Sequence, residues 1–256
     1  MKSITQTSGF SIDRFLQVSR RFLLINQKKW AIGFAGAIGL LFVVWFAMNT
    51  LGQHNVNSAL FTLSLGLGLF QLGGYVITGN IFNELNRTGS ASQLFTLPAS
   101  SFEKLFSAWF VTYLCYSFFG ILTLYLFYLL LGVGNTVFFD IRPDYTLNIF
   151  EAEIADHLRT YTVYHSIFLL GAAYFRKYNF LKTALSIILF FASLGIIFIL
   201  LFYVFGGEFW NSILYAETIL GIRVESAWML KVVGSVAVTA LFLVFAYLRL
   251  KNRQVA

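Results

Sequence analysis

From Leu105 to Phe139 the chain runs without a single charged side chain. A helix needs roughly 20 apolar residues to cross a bilayer core, and this run exceeds that. In lipid, a helix is the one structure that satisfies the backbone of a lone segment from within. Five further apolar segments follow the same logic. The six spans expected are Ala31–Leu51, Ala59–Phe82, Leu105–Leu131, Thr160–Phe175, Thr183–Phe205 and Trp228–Leu248. The fourth is the shortest, and the helical pattern Phe150, Ile154, Leu158 carries its start back toward Ile154. Composition points the same way. The chain is 58% hydrophobic and 11% charged, where a soluble domain is about half apolar and a quarter charged. The excess apolar surface must face lipid. The fold class expected is an all-α integral membrane protein, a bundle of six transmembrane helices in one domain over 1–256.

Basic residues set the orientation. With the N-terminus in the cytoplasm, that side collects Lys2, Arg14, Arg20, Arg21, Lys28 and Lys29 before the first span, Arg87 and Lys104 after the second, Arg176, Lys177 and Lys182 after the fourth, and Arg249, Lys251 and Arg253 in the tail. These are 14 of the 18 Lys and Arg; Arg142, Arg159, Arg223 and Lys231 remain outside. Positive charge marks the inner side of a membrane protein, so both termini are expected in the cytoplasm of a plasma (inner) membrane protein. The net charge of +7 is thereby an orientation signal, and nucleic acid is not an expected partner. The basic N-terminal stretch lacks a short apolar core with a small-residue cleavage site, so it reads as no cleavable signal.

Segment 10–29 is expected as an interfacial helix. Ile12, Phe15, Leu16, Phe22 and Leu23 share one face, opposite Asp13, Arg14, Gln17, Arg20 and Arg21, a pattern suited to the headgroup plane. Two segments outside the cytoplasm are more than turns. Residues 133–157 are acidic, and 206–227 are apolar enough, with Phe209, Trp210, Ile213 and Leu214, to form helix at or in the outer membrane surface.

Much chemistry is missing. No charge lies inside the second, third or fifth span, whereas ion-coupled transporters need membrane-embedded carboxylates or histidines. His165 in the fourth span reads as a packed, hydrogen-bonded residue, and His157 with His165 lacks the third ligand of a metal site. The single cysteine, Cys115, supports no disulfide. There is no G-x-S-x-G, no H-E-x-x-H and no phosphate loop G-x-x-x-x-G-K-[ST]. No catalytic, cofactor or metal residue is expected, and the chain has no ATP site of that kind. Glycines in the first two spans, among them Gly33, Gly36, Gly39, Gly66, Gly73, Gly74 and Gly79, suit close helix packing.

The most informative stretch is 83–104, expected on the cytoplasmic side. Ser90 with Gln93 and Ser100 with Glu103 are two capping boxes, each marking a helix start. Pro98 pushes Leu97 out of helical geometry. A short helix over Ala91–Thr96 should therefore stop before the third span begins, with Ala91, Leu94 and Phe95 as its apolar face. Such a helix suits a partner's groove. This stretch resembles the permease subunit of type-2 ATP-binding-cassette (ABC) transporters. In that family a Glu, a Gly and a Leu-x-x-Pro stretch between spans two and three form the coupling helix that contacts the ATPase. The matching residues here are Glu84, Gly89, Leu94, Leu97, Pro98 and Ser100; Ser90-Ala91 and Phe102-Glu103-Lys104 depart from the usual pattern. The resemblance implies an exporter permease driven by a separate ATPase chain and paired with a second permease chain, as homo- or heterodimer. It implies a coupling role for Glu84, Gly89, Ser90, Gln93, Leu94, Phe95, Leu97, Pro98, Ser100 and Glu103. A membrane assembly or regulatory scaffold without a transport cycle is the rival reading.

Overall fold

The computed structural model describes residues 9–51, 56–83, 99–139, 152–219 and 227–255. They form six helices: α1 (Ile12–Thr50), α2 (Val56–Gly79), α3 (Ser101–Phe139, with a π-helical turn at Phe110–Cys115), α4 (Ala152–Tyr174), α5 (Asn179–Ile219) and α6 (Ala227–Val255). Five of the six are long and apolar enough to cross a membrane. The exception is α4, the expected fourth span. Its 23 residues are enough in length, but its first turns carry Asp156, His157 and Arg159, and Arg159 pairs with Asp156 at 2.6 Å. Its packing explains why it needs less grease. Tyr161, Leu169, Ala172 and Ala173 are fully buried and His165 nearly so, because α2, α5 and α6 pack on it and α3 is hydrogen-bonded to it through Thr112 and Tyr113. A helix that faces protein has little lipid to satisfy.

The helices alternate in direction. At one end, the start of α1 meets the start of α3 (Ser11 N to Glu103 Oε1, 2.7 Å). There too Phe22 of α1 meets Phe82 just after α2, with ring centroids 6.1 Å apart, and Phe102 of α3 meets Tyr247 near the end of α6. Arg249 lies over the ring of Tyr174, 4.8 Å from its centroid, joining the ends of α6 and α4. At the other end Trp45 Nε1 donates to Asn135 Oδ1 (2.8 Å) and Arg159 Nη1 to Ser235 Oγ (3.1 Å). The first and last helices therefore begin and finish at the same end of the bundle.

One element departs from the sequence expectation. The amphipathic N-terminal stretch is helical, but no break separates it from the first apolar run: α1 is one helix of 39 residues. At 1.5 Å per residue it is about 58 Å long, against a hydrocarbon core of roughly 30 Å. No glycine or proline lies between Ser11 and Trp30 to stop it. Its expected apolar face is also divided. Phe15 and Phe22 turn inward with Val18 and Ser19, while Ile12 and Leu16 are exposed. At the far end of α5 the apolar span ends where expected, its axis broken at Gly206 (φ 71°, ψ 172°), a conformation open to glycine almost alone, and a further helical stretch runs on to Ile219. Helix is thus present over 207–219 of the expected outer segment. In the other outer segment α3 extends to Phe139, and 140–151 lie outside the described residues.

The core is aromatic and is held against α2 by missing side chains. A Cβ on Gly74 would stand 2.5 Å from Tyr161 Cε2 and 2.8 Å from Tyr116 Cε1. Neither ring can retreat: Tyr161 donates to Thr112 O (2.9 Å) and Tyr116 to Phe70 O (2.7 Å). Gly74→Ala is expected to destabilise by about 3 kcal/mol, the upper range for overpacking. Gly36→Ala, whose Cβ meets nothing within 4 Å, should be neutral or stabilising because alanine favours helix. Thermal unfolding in detergent distinguishes them, and equal melting of the two variants would refute the packing argument.

Candidate functional site

The stretch 83–104 is seen at both its edges. Before it, Ile81 and Phe82 are buried and Asn83 Nδ2 donates to Asn80 Oδ1 (2.8 Å), so the exit from α2 is pinned. After it, the expected Ser100–Glu103 capping box is formed: Ser100 Oγ accepts from Glu103 N (3.2 Å), and Glu103 Oε2 accepts from Ser100 N (2.7 Å). The box orders the first turn of α3 by satisfying two backbone donors that a helix start leaves over. Glu84, Gly89, Ser90, Gln93, Leu94, Phe95, Leu97 and Pro98 lie outside the described residues.

Glu103 does more than cap. Its carboxylate is fully buried and also accepts from Ser11 N (2.7 Å), Arg14 Nε (3.1 Å) and Arg14 Nη2 (2.9 Å). One acidic side chain thus joins the start of α3 to the start of α1. Ser107 Oγ donates to Phe15 O (3.2 Å) one turn further on. Phe10, Phe15, Phe102, Phe106 and Phe110 close around the joint, with Phe15 and Phe106 centroids 5.1 Å apart. Sequence reasoning found Ser100 and Glu103 but missed Ser11 and Arg14 as their partners. The only signal was an arginine on an amphipathic stretch.

His157 and His165 have protein partners. Thr112 Oγ1 donates to Ala108 O (2.7 Å), so its contact with His165 Nε2 (2.8 Å) requires the ring N–H to donate. His157 is held by Gln71, whose Nε2 lies 3.1 Å from both the ring Nδ1 and the His157 carbonyl. Ser166, beside His165 in sequence, gives its proton to Val163 O (2.6 Å), so the two do not form a nucleophile and base. Among the described residues no three His, Cys, Asp or Glu side chains converge. Set against family models, curated proteins and solved structures, the chain matches none of them. What is shown is an all-α, multi-span membrane protein.

Proposed function

We propose that this chain is the permease subunit of an ABC exporter, driven by a separate ATPase chain that docks on residues 84–98. The carrying observation is the Glu103 joint. A stretch that resembles a coupling helix leads into a helix start tied by four hydrogen bonds to α1 and to its own cap. A push on that stretch would reach α1 and α3 together, as a rigid-body switch requires. Glu103 acts here as a positioning residue, since it offers no exposed oxygen to a partner. On this reading both termini and the joint are cytoplasmic, in a plasma (inner) membrane, on the side with most of the basic residues. A second permease chain completes the pathway. The cargo is apolar or lipid-like, as spans without charge suggest.

Co-expression with candidate ATPase chains, purification in mild detergent and an ATPase assay test the proposal. The expected result is a complex whose ATPase activity depends on the permease. A chain that purifies with no ATPase, or with one whose activity it leaves unchanged, supports the scaffold reading instead.

A further inference from the structure

Helix α3 is not regular. At Phe110–Cys115 it widens into one π-helical turn, with α-helix before and after. The hydrogen bonds show where the extra residue goes. The Tyr116 N–H reaches back to Val111 O, and also to Tyr113 O, but not to Thr112 O, which would be its acceptor in an α-helix. Thr112 O is thereby left over inside the bundle, where an unpaired carbonyl is costly. Tyr161 of α4 makes good the loss, its hydroxyl donating to Thr112 O (2.9 Å). One turn further along α4, the His165 ring N–H donates to Thr112 Oγ1 (2.8 Å). Thr112, Tyr161 and His165 are all buried.

The turn lies between two fixed points. The first half of α3 is bound to α1 by the Glu103 carboxylate and by Ser107 Oγ on Phe15 O. The second half is bound to the same helix where Trp45 donates to Asn135, and α1 runs unbroken between these points. One extra residue carries whatever follows it about 100° round the helix axis, so the π turn sets how the two halves of α3 face α1. Such turns are rare, concentrate at functional sites and are places where helices bend.

We propose that the π turn is the hinge of α3, and that Tyr161 and His165 are its latch. With both side chains on Thr112 the hinge is fixed. When α4 withdraws them, the first half of α3 turns against the second. The hinge belongs to the bundle and stands whether or not the chain is a transporter.

Hydrogen exchange of the full chain in detergent, read by mass spectrometry of its peptides, tests both parts. Tyr161→Phe keeps the ring that packs against Gly74 and removes only the donor. It should speed exchange of amides 112–117 about tenfold, the worth of one net hydrogen bond, while amides 122–134 keep their wild-type rates. Opening confined to the turn marks a hinge, whereas a loosened core opens over a wider stretch. Thr112→Val removes the acceptor of His165; it should act in the same direction, and it serves if the first variant does not fold. Deleting Tyr113 should abolish the hinge. The bond from Tyr116 to Val111 then spans four residues, the turn becomes α-helical, and the rest of α3 keeps its face. This variant should fold, with the remaining amides of the turn slowed to the rates of 122–134. Deleting Leu122 from the regular part of α3 should instead swing Asn135 away from Trp45 and unfold the chain. Unchanged exchange at 112–117 in the folded substitution variants, a rise spread evenly over 122–134, or a Tyr113 deletion that unfolds as the Leu122 deletion does, overturns the proposal.

Discussion

Glu103→Ala is expected to destabilise the protein by about 3 kcal/mol, the lower end of the range for breaking a buried ion pair. The lower end applies because Arg14 is partly exposed (21% of its side chain) and can recover some solvation. Three losses combine. The cap of α3 loses its reciprocal half, Ser11 N loses its acceptor, and the Arg14 guanidinium is left beside a ring of phenylalanines. Glu103→Gln should fall between, since Gln serves in a capping box but cannot neutralise Arg14. Melting in detergent gives the ranking. The cycle of Arg14→Met, Glu103→Ala and the double variant should show strong coupling, because residues in direct contact are not additive. Additive effects, or an alanine variant that melts with the wild type, would show that the joint does not hold α1 to α3.

This joint also marks where sequence reasoning stops. The Ser100–Glu103 box was legible because its partners stand three residues apart and the backbone geometry of a helix start is local. Arg14 and Ser11 were not, because their separations from Glu103 are 89 and 92 residues. A carboxylate can satisfy several donors at once, and nothing in the local pattern says which distant ones arrive. The helices followed from the length of apolar runs, which lipid makes nearly decisive. Helix α4 carries the weakest apolar run for a related reason. Runs report contact with lipid, and α4 is enclosed by other helices, so its polar first turns and buried tyrosines carry no such record. The α1 helix was misjudged at its middle. A change from charged to apolar residues at Trp30 marks a change of environment, which need not mark a break in the helix. The glycines divide in the same way: Gly73 and Gly74 admit the tyrosines, while Gly33, Gly36 and Gly39 meet open space. Their sequence contexts are alike, and only the placement of neighbouring helices separates them.

Phe95→Asp is expected to abolish permease-dependent ATPase activity while leaving the bundle folded. The reasoning begins with sequence: the capping pattern predicts a short helix with Leu94 and Phe95 on its apolar face, and a solvated loop has little reason to present both. If an ATPase groove buries that face, an aspartate there must either shed its water or expel the partner, at a cost of several kcal/mol, enough to reduce a micromolar complex to a negligible one. The bundle has no such exposure to the change. The helix ends on either side of 84–98 are held by their own contacts, Asn80 to Asn83 on one side and the Glu103 joint on the other. Melting of Phe95→Asp should therefore match the wild type within a degree or two, while Glu103→Ala melts early. The pair of variants separates docking from scaffolding: one should lose the partner with stability intact, the other lose stability first. A Phe95→Asp chain that folds, keeps its ATPase and stimulates it normally would remove residues 91–97 from the docking surface. A Phe95→Asp chain that unfolds would instead place that side chain in the core of its own bundle.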